Sequence, residues 1–65
     1  MEIIYKSFNQ YNYSKIALKI NEEEKTATIY KGGACPISYD KKTTAKHIRE
    51  LIELYRGAGF TIKEA

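Results

Sequence analysis

Apolar and polar residues follow two different rhythms along this chain. In the stretch Thr43–Phe60, the residues Ala45, Ile48, Leu51, Ile52 and Tyr55 recur at helical spacing, which places them on one face of a helix. Lys46, His47, Arg49, Glu50, Glu53 and Arg56 fall opposite. Asp and Thr both cap well, so the helix starts between Asp40 and Thr44; Gly57 and Gly59 stop it and turn the chain into a strand at Phe60–Lys63. From Lys15 to Ile20 the period is two: Ile16, Leu18 and Ile20 share one face, and Lys15, Ala17 and Lys19 the other, as in a half-buried strand with one solvated face. Thr26–Lys31 is its return strand across the turn Asn21–Lys25, and Gly32-Gly33 ends the hairpin. Glu2–Phe8 is β-branched and aromatic and also reads as a strand, but its facing is ambiguous, with Ile3 and Tyr5 competing against Ile4 and Phe8. Asn9–Ser14 is a polar turn. Pro36 forbids a central strand in Ala34–Asp40 and leaves room for a short edge strand at Ile37–Tyr39.

The predicted order is β-β-β-(β)-α-β. This is an α+β fold in one domain, residues 1–65: a small antiparallel sheet of three to five strands with one amphipathic helix packed on one face. The direction of the last strand stays open.

Composition narrows the setting. A chain of 65 residues buries only about 60% of its unfolded surface and needs reinforcement. One Cys excludes an internal disulfide and one His excludes a His-rich metal site, which leaves a homodimer as the expected device. The lone cysteine points to a reducing compartment. Neither a signal-peptide pattern nor an apolar run of the ~20 residues that span a bilayer is present, so the expected location is the cytoplasm. The net charge of +3 and pI near 9.0 are mildly basic, weaker than in a dedicated nucleic-acid binder. Abundant Lys, Ile, Glu and Tyr are associated with AT-rich bacterial or phage genomes.

The candidate chemistry is sparse. Lys41, Lys42 and Lys46, with His47, cluster at or before the first helical turn, where the helix dipole disfavours positive charge. With the Thr43 and Thr44 hydroxyls and free amides they would cradle an anion; the competing reading is that they are merely solvated. A nucleotide-binding loop is excluded, because Gly33 lies too far ahead of Lys41. Tyr11 and Tyr13 are placed as contact residues, with packing against the helix nearly as good an account, whereas Tyr5, Tyr30 and Tyr55 read as core-edge residues. Cys35 has no base to activate it. Lys46 with Glu50 and Arg49 with Glu53 are spaced for helix-surface pairing, and Glu22-Glu23-Glu24 reads as a solubilising turn.

The layout of Ile16–Tyr30 followed by Thr43–Phe60, with its Gly59-Phe60 return, faintly resembles WGR-type modules of nucleic-acid-associated proteins and also looks like small antitoxin-type β-β-β-α halves. The tryptophan-glycine-arginine signature is absent, and element order does not carry function, so the chain is assigned to no family. The expected function is that of a small non-enzymatic binding protein: a regulator or inhibitor of a cytosolic macromolecule, of phage or mobile-element type, acting by protein-protein contact. Tyr11 and Tyr13 would be its anchors and Lys41, Lys42, Lys46 and Arg49 its charge partners. The alternative is a small nucleic-acid-binding domain using the same basic residues and tyrosines. Neither reading requires a cofactor or a metal.

Overall fold

A computed structural model describes residues 1–8 and 15–65. Five strands, β1 (Glu2–Phe8), β2 (Lys15–Asn21), β3 (Thr26–Lys31), β4 (Lys41–Thr43) and β5 (Thr61–Glu64), form one sheet in the order β4-β1-β2-β3-β5, and α1 (Ala45–Gly57) lies across it. The α+β class holds. The sheet is mixed rather than antiparallel: β4 pairs parallel to β1 and β5 parallel to β3, so β2 alone runs against the others. The expected strand at Ile37–Tyr39 does not form; the fourth strand is Lys41–Thr43 instead. Asp40 sets its start, since its N–H donates to the Ile4 carbonyl and its Oδ2 accepts from the Ile4 N–H, both at 2.8 Å.

The helix begins where its cap dictates. Thr44 is extended and its hydroxyl accepts from the His47 N–H at 3.0 Å. At the other end the Gly59 N–H donates to the Arg56 carbonyl and the Phe60 N–H to the Tyr55 carbonyl, while Gly59 sits at φ 93°. This pair of bonds is a Schellman stop, and the apolar contact that accompanies it is Tyr55 against Phe60, ring centroids 4.8 Å apart. In the β2–β3 turn, Lys25 takes the left-handed conformation at φ 58° and the Asn21 Oδ1 accepts from the Glu24 N–H at 2.9 Å.

The helical stripe fills the core as its spacing implies. Ile48 and Ile52 are buried against Leu18, Ile20, Ala27 and Ile29, with Tyr5, Ile16, Leu51, Tyr55, Phe60 and Ile62 packed around them. Each fully buried aliphatic side chain contributes about 1.5–3 kcal/mol. On the helix surface, the expected pairs Lys46–Glu50 and Arg49–Glu53 are replaced: Glu53 accepts from Arg56, one turn on, and neither Lys46 nor Arg49 joins an ion pair among the described residues. At three residues' spacing Arg56 takes the carboxylate that Arg49 would have used.

The second face of the sheet is not simply solvated. To reach β4 beyond β1, the chain leaving β3 must pass back over β2 and β1. A 3-10 turn (Gly32–Ala34) starts this crossing. The strap Cys35–Asp40 is then fastened by the Cys35 thiol to the Tyr30 carbonyl (3.6 Å), by the Lys6 Nζ to the Pro36 carbonyl, and by Asp40 to Ile4. Beneath it lies the row Lys42, Lys6, Ala17, Tyr30. Ala17 is therefore 0% exposed and Lys6 only 5%, where period-two reading puts Ala17 in water.

Candidate anion-binding surface

The topology sorts charge toward the two ends of the molecule. One end carries the start of β1, the β2–β3 turn and the start of β5, and there Glu2, Glu22, Glu23 and Glu24 gather. Glu23 is tied to the Met1 amine at 2.9 Å, which holds its carboxyl below the ordinary value, first by the hydrogen bond and then by the charge. Glu2 meets Lys19 at 3.2 Å and raises the ammonium's pKa through the same two effects.

The opposite end carries the ends of β1, β3, β4 and β5, the start of β2 and the first turns of α1. Lys15, Lys31, Lys42, Lys46 and Arg49 lie there, and Lys6 sits just behind them. Only Lys31 is in an ion pair among the described residues, with Glu64 at 3.7 Å. The undescribed residues 9–14 contain no carboxylate, so they add no acidic partner.

At the centre of this cationic end is Phe8. The ammonium groups of Lys42, Lys6 and Lys15 stand 5.0, 5.3 and 5.7 Å from its ring centroid. Tyr39, carried by the strap, meets Phe8 edge to face at 5.8 Å and 69°, and Lys6 lies 5.7 Å from the Tyr39 centroid as well. The negative faces of the two rings offset part of the repulsion among the ammoniums. Phe8 and Tyr39 nevertheless stay 42% and 43% exposed. Beside them an open groove of about 350 Å³ is lined by Ser7, Phe8, Lys15, Ile16, Lys31 and Arg49, among others. A second shallow depression of about 410 Å³ continues it along the helix past Lys31 and Arg49.

The sequence-predicted site residues are only partly brought together. Lys41 and Lys42, neighbours in the chain, point to opposite faces: Lys42 joins Phe8, while Lys41 lies over Tyr5 at 5.9 Å on the helix side. Lys46 and Arg49 are exposed on α1, and Arg49 reaches the groove. Tyr11 and Tyr13 lie outside the described residues. Phe8, Tyr39, Lys6 and Lys15 were missed. The available signal was the parity of Phe8, which sets it apart from Tyr5 and onto the face that also carries Lys6 and Lys15. His47 turns from the basic cluster to Thr43, its Nδ1 lying 2.6 Å from the hydroxyl.

Among the described residues, no group of three or more His, Cys, Asp or Glu is placed to hold a metal, and no helix is long and apolar enough to cross a membrane. Comparison with protein-family models, with curated proteins and with solved structures gave no match.

Proposed function

We propose that this chain is a non-enzymatic binding protein whose working surface is its cationic end and whose partner is a macromolecule bearing a dense array of negative charge. The observation that carries the reading is the ring of Lys6, Lys15 and Lys42 around a half-exposed Phe8, with none of the three in an ion pair among the described residues. Left alone, such a cluster costs self-repulsion; an anionic surface laid over it relieves that cost and steers the encounter. By covering its partner's charged surface the protein would act as a regulator or inhibitor.

A protein partner is the second reading, and Ile37 favours it. This side chain is 96% exposed on the strap, two residues before the half-exposed Tyr39, and exposed apolar and aromatic side chains of this kind suit the core of a protein interface.

The test is fluorescence anisotropy with labelled heparin fragments and labelled polyglutamate at low and moderate salt. Binding that weakens with salt, and weakens further in Lys42→Glu and Arg49→Glu, supports the reading. Absence of binding to every polyanion at low salt overturns it.

A further inference from the structure

We infer that the anionic partner is a single-stranded nucleic acid, with unstacked bases lying against Phe8 and Tyr39 and phosphates held by Lys15, Lys42 and Arg49. This rests on the preceding reading of the cationic end and names the polymer it takes.

Three observations select a single strand from among the polyanions. First, cations and exposed rings are interleaved at one spot, with ammonium–ring separations of 5.0–5.7 Å around Phe8 and Tyr39. A chain of carboxylates would satisfy the lysines and leave the rings idle, whereas a nucleic acid presents a π-face with every charge. Second, the Phe8 and Tyr39 planes are inclined by 69°. Bases stacked on both rings would be turned away from one another. A single strand reaches that arrangement by splaying its bases, and a duplex reaches it only by breaking its own stack. Third, the platform is preorganised. Phe8 ends β1, and Tyr39 belongs to a strap fastened at Tyr30, Lys6 and Ile4. Lys6, buried and bonded to the Pro36 carbonyl, is the common neighbour of both rings, so it positions them rather than meeting phosphate.

The footprint is short. With Lys15, Lys42 and Arg49 each neutralising one phosphate, log K should fall against log salt with a slope of about −2, or about twentyfold between 50 and 200 mM.

The experiment is anisotropy of fluorescein-labelled dT12, labelled rU12, a labelled 12-bp duplex and labelled polyglutamate against the full chain, with circular dichroism confirming the fold of each variant. Single strands should bind more tightly than the duplex. Tyr39→Ala and Phe8→Leu should each weaken single-strand binding by about five- to 150-fold while leaving the salt slope unchanged. Lys42→Glu should weaken it and flatten the slope. If Phe8→Leu does not fold, Tyr39→Ala decides alone. Preference for dT12 or rU12 distinguishes DNA from RNA, and either supports the inference. Equal affinity for duplex and single strands overturns it, as does an unchanged affinity in folded Tyr39→Ala. Binding to polyglutamate alone overturns it while leaving the broader reading standing, and no binding to any probe overturns both.

Discussion

Replacing Ala17 with Leu separates the strap-covered sheet from a sheet with one open face. Ala17 lies between Lys15 and Lys19 on the polar side of β2, and on a solvated strand Leu in place of Ala would be neutral or mildly stabilising. In the structure that position is 0% exposed and its cross-strand neighbours are Lys6 and Tyr30, two of the three residues to which the strap is fastened. Three added carbon atoms have nowhere to go except into the strap. Overfilling a packed site costs about 1–3 kcal/mol. A domain this small has only about 3–10 kcal/mol in total, at 0.05–0.15 per residue. Each kilocalorie moves Tm by roughly 4–8 °C, so Ala17→Leu should melt about 4–24 °C below the parent in a thermal scan followed by circular dichroism. Lys19→Ala, on the same face with its side chain 33% exposed, loses its pair with Glu2 and should change stability by less than about 1 kcal/mol. An Ala17→Leu protein as stable as the parent would refute the covered face, and with it the rigid mounting of Tyr39.

Three further outcomes follow from the fold. Thr44→Ala removes the acceptor for the His47 N–H and should cost about 1 kcal/mol by urea denaturation, while Thr44→Asp should recover most of it. Gly59→Ala forces a side chain into φ 93° at the helix stop and should cost about 1–2 kcal/mol by the same assay, despite open space around the new methyl. In an NMR titration Glu23 should titrate below its ordinary value of 4.5 and the Met1 amine above 8.0, and acetylating the amine should return Glu23 to normal. The stabilisation from this pair is present above the ordinary carboxylate value and lost as pH falls through Glu23's lowered value. At the alkaline side it is lost as pH rises through the raised value of the amine.

Helix and hairpin were legible because each satisfies a periodic rule with its own residues. The stripe from Ala45 to Tyr55 needs no knowledge of its partner, and neither does the alternation of Ile16, Leu18 and Ile20. The edges were not legible for the converse reason. Lys41-Lys42-Thr43 has no apolar residue to announce a strand; it becomes one because Asp40 captures Ile4 and brings it alongside β1. The direction of β5 follows from helix length, which a local pattern does not read as topology. Thirteen residues rise about 20 Å, close to the length of a seven-residue strand, so the helix returns the chain to the level where the first strand began. β5 then starts beside Lys25, whose carbonyl accepts from the Thr61 N–H at 2.8 Å, and runs parallel to β3. The ambiguous facing of Glu2–Phe8 was itself informative, since β1 is covered on both sides, by the helix near Tyr5 and by the strap at Lys6. The cationic cluster depends on the parallel register Lys6↔Lys42, a pairing between residues far apart in the chain that no local spacing reveals.

Both outer strands come from the stretch after residue 40, joined by one helix that reaches from one rim of the sheet to the other. The first three strands therefore form a ribbon bare along both rims, open to pairing with a neighbouring chain. Closure of both rims waits on a single late segment, which acts as a clasp. Folding should accordingly be all-or-none and slower than its size alone implies, because the decisive contacts join distant parts of the chain. Loosening the clasp anywhere exposes two sticky borders at once, so aggregation is the characteristic failure of this architecture.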